Sequence, residues 1–223
     1  DGGLHVLAFI TELAGDLGYG IAPHRAAVRL EVALDGTLAV IARMTETRDP
    51  YTAGHQERVG TLSAAIATRL GLSPSEVEGV RRGAQVHDVG KIAIAAEILS
   101  RPGRLDPLEF ALVKRHSALG ADILRRADLP WPLAEIAEQH HERLDGSGYP
   151  AGLSGDAICL PARIVAVADV VEAMAHLRPY RAALGIDAGL AEVRAQAGVL
   201  FEPDVVEACL AEFESGFTFG DDA

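Results

Sequence analysis

Between Ala162 and Ala175 the chain is apolar nearly all round, and a helix without a polar face has to sit at the centre of a fold, covered by other helices. Asp169 lies inside it, in Ile164-Val165-Ala166-Val167-Ala168-Asp169-Val170-Val171, with apolar neighbours one, two and four residues away on both sides. An ionised carboxylate in such a setting costs several kcal/mol unless it is paired or bound to metal. A buried salt bridge to an arginine such as Arg163 or Arg178 satisfies it, and so does a metal ion.

The rest of the composition agrees with a helical core. Apolar residues make up 49% and aromatic ones 5% of 223 residues, rich in Ala, Leu and Val, which suits packed helices and one good-sized domain. The formal charge of -12, from 20 Lys+Arg against 32 Asp+Glu, repels polyanions and argues against non-specific binding to nucleic acid or an anionic membrane. An anionic substrate therefore needs local help from metal ions or a few placed cations. No stretch reaches the roughly 18 to 20 apolar residues of a membrane span, and no signal peptide is recognisable. Cys159 and Cys209 read as ordinary buried thiols of a reducing cytosol, so a cytoplasmic location is expected. A first residue of Asp1 suggests a chain cut from something longer.

From Leu4 to about Met44 the pattern is helical, with expected interruptions at Gly15 to Gly20 and near Gly36. Leu30, Leu34, Leu38 and Ile41 recur at three- and four-residue intervals, a stripe that fits either a short coiled coil, and hence a homodimer, or packing on the following domain. The stretch from Glu12 to Ile21 also resembles the closing helix of GAF sensor domains. Ser73-Pro74-Ser75-Glu76 and Asp106-Pro107-Leu108-Glu109 each place a capping side chain, a first-turn Pro and a Glu three residues after the cap, so both predict helix N-termini. The first of these helices runs toward Gly90, with His87 and Asp88 in its last turn. A helix from Trp131 to about Glu142 carries His140 and His141 in its last turn. Asp145-Gly146-Ser147-Gly148-Tyr149-Pro150 must then be a loop. Further helices follow Ile186 and Pro203, and the tail from Gly216 to Ala223 reads as frayed.

Five of the eight histidines, His55, His87, His116, His140 and His141, fall in the central stretch. A lone histidine on a helix is usually a hydrogen-bonded core or surface residue. Pairing changes that, because His87 and Asp88 enter an apolar environment together between Val86 and Val89. Five imidazoles and two carboxylates without a thiol suit six-coordinate iron or manganese better than structural zinc. Seven ligands exceed one metal, and the economical arrangement is two divalent ions sharing a bridging carboxylate and a hydroxide that becomes the nucleophile, as in phosphoester hydrolysis.

Across most of residues 45 to 210 the sequence resembles the HD-GYP phosphodiesterases. The matching stretches are Arg48-Asp49-Pro50-Tyr51-Thr52-Ala53-Gly54-His55 with Arg58-Val59, His87-Asp88-Val89-Gly90-Lys91-Ile92, Ile98-Leu99 through Pro102-Gly103 to Leu105, and His116 with Gly120. They continue through His140-His141-Glu142-Arg143-Leu144-Asp145-Gly146-Ser147-Gly148-Tyr149-Pro150, Arg163 to Asp169, and Arg178-Pro179-Tyr180-Arg181, in an order and spacing that chance does not produce. The resemblance implies an all-α HD-domain bundle over 45–215, preceded by a linker helix over 1–44. It implies that His55, His87, Asp88, His116, His140, His141 and Asp169 are metal ligands, with Asp88 bridging. Lys91 then faces the substrate phosphate, and Arg178 or Arg181 helps hold the dinucleotide. Gly148, Tyr149 and Pro150 shape a wall of the cleft or a contact surface for partner signalling proteins.

Two departures matter. Some family members hold a third metal through a glutamate four residues before the first histidine ligand; here that residue is Tyr51, so two metals are expected, and Glu46 lies too far back to substitute without a shift of the chain. Val171, Glu172 and Ala175-His176-Leu177 also differ from the usual pattern, which puts the details of substrate grip in doubt. The expected activity is metal-dependent hydrolysis of cyclic di-GMP to linear pGpG or GMP. A mixed-base cyclic dinucleotide, or a signalling module that binds without turnover, are the alternatives, although no ligand is lost.

Overall fold

The computed structural model describes the backbone of residues 2–49, 53–101, 103–176 and 185–220, with side chains from His24 onward. Tyr51, Arg178 and Arg181 lie outside the described residues. The chain divides into two units, 1–39 and 40–223. The first is the N-terminal part of α1 (Gly2–Arg48), which runs without a break through Gly15, Gly18, Gly20 and Gly36. The expected interruptions are absent because a helical glycine costs only about 1 kcal/mol relative to alanine and keeps its N–H in the ladder.

The second unit is built of α2 (His55–Arg69), α3 (Pro74–Val86), α4 (Ala96–Leu99), α5 (Pro107–Lys114), α6 (His116–Leu124), α7 (Leu133–Gln139), α8 (Leu160–Ala175), α9 (Ile186–Ala195) and α10 (Pro203–Glu214). Among the described residues two isolated bridges are the only β pairing, so the fold is all-α. No helix among them is long and apolar enough to cross a membrane. Both expected N-termini carry full capping boxes, Ser73 with Glu76 on α3 and Asp106 with Glu109 on α5.

The apolar stretch forms the central helix α8. Its Ile164, Val165, Val167, Ala168 and Val171 are fully buried against Val59, Leu62 and Ile66 of α2, Ile136 of α7, Val193 of α9 and Val205 and Cys209 of α10. Each such Val or Ile contributes about 1.5–3 kcal/mol, and together they carry the cost of holding Asp169 among them. The tail is not helical, yet Phe217 and Phe219 pack against this core.

Two expected helix ends fall short. α3 stops at Val86, with His87 as its C-cap, and the chain tightens at Asp88 into a 3-10 turn over Val89–Ala93. α7 stops at Gln139, with His140 as its C-cap. Gly90 explains the first: a Cβ there would lie 1.9 Å from the carbonyl oxygen of His116 and 2.5 Å from the nitrogen of Gly120. The turn after Asp88 is thus pressed backbone to backbone on the start of α6, which fixes the distance between Asp88 and His116.

Gly90→Ala forces those backbones apart, and overpacking of this kind typically costs about 1–3 kcal/mol, more where backbone cannot yield. A loss of about 3 kcal/mol in urea unfolding is expected. A change below about 0.5 kcal/mol would contradict the close approach.

Candidate metal centre

Three of the histidines are held by one device. The Nδ1 of His87 lies 2.6 Å from the carbonyl oxygen of Ala84, that of His116 lies 2.8 Å from Val113, and that of His140 lies 2.9 Å from Ala137. These carbonyls belong to the last turns of α3, α5 and α7, where helix carbonyls run out of intrahelical donors; that of Val113 also accepts a backbone N–H of the C-cap. A carbonyl only accepts, so each Nδ1 carries a proton, and Nε2 is the atom turned to the other side.

Those atoms converge. The Nε2 atoms of His116 and His140 are 3.4 Å apart. A cation shared between them satisfies both, so the donor set fits a metal. Two groups of side chains bring ligand atoms close enough to hold one: Asp88, His116, His140 and His141, and separately His55, His87 and Asp88. Asp88 belongs to both, with Oδ1 3.2 Å from His116 Nε2 and Oδ2 3.5 Å from His87 Nε2. Asp169 reaches the second group, its Oδ1 3.3 Å from His55 Nε2. Of the two arginines considered for Asp169, Arg163 is engaged elsewhere, with Glu202 at 2.6 Å and Asp156 at 3.0 Å.

The electrostatics keep the set ready for a cation. Burial pushes the pKa of His87 below its ordinary value, and burial with the neighbouring imidazoles pushes His140 and His141 well below theirs, so all three are neutral at pH 7. Burial opposes the charge of Asp88, but the Lys91 ammonium, 2.7 Å from Oδ2, and the adjacent histidines hold its carboxyl well below the usual range. Lys91 is therefore no surface lysine. It lies in the site between Asp88 and Asp49, the latter at 3.4 Å.

Three supporting residues were not singled out from sequence. Glu172, one turn beyond Asp169 on α8 and 1% exposed, receives the Nδ1 of His55 in a short contact and the Nε of Arg58 at 2.7 Å. Despite burial, His55 and Arg58 hold its carboxyl down to about 2, and it orients His55 as carboxylates behind metal-bound histidines do. His176, one of the departures from the family pattern, sits 3.1 Å from the same carboxylate. Glu142 is buried next to His141 and accepts the backbone N–H groups of Ala151, Gly152 and Leu153 at 2.7, 3.1 and 3.0 Å, pinning the Gly-Tyr-Pro loop. A Cβ at Gly148 would meet the Glu142 Cα at 2.4 Å, so only glycine allows the loop to fold back there. Arg143 donates to the carbonyls of His140 and Glu142 at 3.2 and 2.8 Å, bracing the same turn. Tyr149 is thereby laid on His141, ring centroids 4.7 Å apart, as a wall of the site, and Pro150 is exposed. Glu46 is buried, 3.4 Å from the Gln56 backbone N–H and 3.2 Å from Arg43.

An all-α bundle closing on a histidine and aspartate cluster, with a His-Asp pair at its middle, defines an HD-type domain. The HD domain family matches residues 39–205, and the chain belongs to it. It is 46% identical over 176 residues to the cyclic di-GMP phosphodiesterase response regulator RpfG of Xanthomonas campestris pv. campestris, covering 78% of this chain and 47% of that protein. It is 39% identical over 171 residues to the 3'3'-cGAMP-specific phosphodiesterase 3 of Vibrio cholerae, covering 77% of this chain and 37% of that protein. The chain thus spans less than half the length of these relatives. Its fold also matches the HDG"Y"P protein from Bdellovibrio bacteriovorus, at a TM-score of 0.58 and 21% identity over 72% of this chain and 51% of that one.

The burial of the imidazoles sets the pH dependence of the metal-free protein. Three rings with native pKa values below their ordinary 6.5 refuse protons that the unfolded chain takes up, so stability falls as pH drops through that value. Glu172 acts in the same direction, but its contribution is complete above 4.5 and is lost only as pH falls toward about 2. Urea unfolding with a chelator present should lose about 1 kcal/mol or more between roughly pH 7.5 and 5.5. Equal or greater stability at the lower pH contradicts the neutral histidines.

Proposed function

We propose that this chain is the catalytic part of a phosphodiesterase that hydrolyses cyclic di-GMP to linear pGpG or GMP with two divalent metals, iron or manganese. The observation that carries this reading is the sharing of Asp88 between two sets of imidazoles, with one oxygen turned to each. His116, His140 and His141 hold one ion, His55, His87 and Asp169 the other, and Asp88 joins them. Nitrogen and oxygen donors without thiolate suit iron or manganese, and a pair of such ions supplies the Lewis acidity and activated water that in-line phosphodiester cleavage requires.

The residues around the ions bind and orient the substrate. Lys91, held by Asp88 and Asp49 at the edge of the pair, faces a phosphate oxygen and offsets the charge developing on it. Tyr149, fixed by the Gly148 turn, walls off one side. Arg178 and Arg181 follow α8 in sequence and supply further positive charge for the dinucleotide. Four residues before His55 in sequence, where a third metal would need a carboxylate, the chain has Tyr51, which supports a count of two. The similarity to both a cyclic di-GMP and a 3'3'-cGAMP enzyme supports a cyclic dinucleotide as the substrate class and leaves the mixed-base compound as the second reading. On α1, Leu30 and Leu34 share one face, with Leu30 74% exposed, and that apolar stripe supports pairing with a second copy. Exposed Pro150 supports a role of the loop in contacts with partner signalling proteins.

The test is to purify the protein reduced and without oxygen, quantify its metals, and follow cyclic di-GMP by chromatography beside the variant His87→Ala, Asp88→Ala. Two metals per chain and conversion to pGpG or GMP are expected, with the variant at least about 1000-fold slower, as the loss of a metal centre implies. A metal-loaded protein that binds cyclic di-GMP and 3'3'-cGAMP but converts neither contradicts the enzyme reading. A third metal contradicts the role given to Tyr51.

A further inference from the structure

Beside the metal centre stands a group of side chains that the ligand set does not use. Phe110 and Lys114 lie four residues apart on α5, on one face, immediately before His116. The Phe110 ring meets that of Tyr149 edge to face, with centroids 6.3 Å apart and planes at 83°. Tyr149 in turn lies on His141, and its ring is 6.5 Å from that of His116. The chain of rings thus leads from two metal-centre histidines outward to Phe110, which is 47% exposed.

Lys114 completes it. Its ammonium lies 5.3 Å from the Phe110 centroid and 5.7 Å from that of Tyr149. Among the described residues it has no carboxylate partner, in a chain with 32 acidic residues to 20 basic ones. Lys91, the other lysine at this centre, is held by two aspartates. An aromatic face and an unneutralised ammonium side by side are the two elements that proteins use to hold a nucleotide, the ring for the base and the cation for the phosphate.

The geometry points to Phe110 and Lys114 as a substrate subsite at the mouth of the metal centre, Phe110 stacking on a purine base of the cyclic dinucleotide and Lys114 contacting a phosphate oxygen. The assignment rests on the phosphodiesterase reading and adds where the end of the dinucleotide away from the reacting phosphate is held. Phe110 offers a π-face without hydrogen-bonding groups, so the subsite accepts guanine and adenine alike and does not by itself separate cyclic di-GMP from its mixed-base analogue.

The metal-loaded protein is titrated calorimetrically with a phosphorothioate analogue of cyclic di-GMP that resists hydrolysis, and the metal content of each variant is measured alongside. Phe110→Ala and Lys114→Ala should each weaken binding about tenfold with metal content unchanged. In turnover the loss should fall on KM more than on kcat. Phe110→Tyr and Lys114→Arg should restore binding, and the Lys114→Ala defect alone should shrink as salt is raised. Binding within about twofold of the original by either alanine variant would overturn the subsite while leaving the phosphodiesterase reading intact. A parent protein that neither binds the analogue nor cleaves cyclic di-GMP or 3'3'-cGAMP would overturn both.

Discussion

The centre depends on a hydrogen bond made three times: a histidine Nδ1–H donating to a last-turn carbonyl of a helix, as His87 does on α3, His116 on α5 and His140 on α7. Each bond does two things at once. It gives a last-turn carbonyl a side-chain donor, and it orients the ring so that Nε2 points away from the helix into the cluster. The negative ends of three helix dipoles thereby surround one small volume. With His87, His140 and His141 neutral and Asp88 and Asp169 ionised, that volume is built for cations. A cation there also satisfies the Nε2 atoms of His116 and His140, 3.4 Å apart.

The surrounding structure keeps those three helix ends in register. Gly90 lets the turn after Asp88 lie directly on the backbone of α6, and Gly148 lets the loop after His141 lie directly on Glu142. The buried face of α8 carries Asp169 and, one turn on, Glu172, so the same core that tolerates the two carboxylates also aims His55. The net charge of -12 then has a local counterpart, because both lysines of this acidic chain lie at the histidine and aspartate cluster. Lys91 is bound into the centre, whereas Lys114 lies over rings at its edge.

Much of this was legible in the sequence because it rests on local chemistry. The capping boxes at Ser73 and Asp106, the all-apolar helix around Asp169 and the His-Asp pair at 87 and 88 each speak through residues within a few positions of one another. The ends of α3 and α7 were placed too late because a histidine that bonds the carbonyl three residues back looks helical in sequence while it terminates the helix. The glycines of α1 look like breaks in sequence, yet a helical glycine costs only about 1 kcal/mol and does not end the helix. Glu172 was passed over as a departure from a pattern because its partner His55 is 117 positions away. Lys114 and Phe110 gave no signal, for an i,i+4 pair on a short helix is ordinary until a third ring, Tyr149, arrives from a distant loop.

The central claim is that Asp88 joins two metals, one oxygen to each set of histidines. Anomalous diffraction from crystals of the metal-loaded protein, recorded at the absorption edge of the bound metal, tests it directly. The account predicts two peaks about 3.5–4 Å apart, one among His116, His140 and His141 and one beside His55 and His87, with the Asp88 carboxylate between them. A single peak, or two peaks with Asp88 bound to only one, would contradict it.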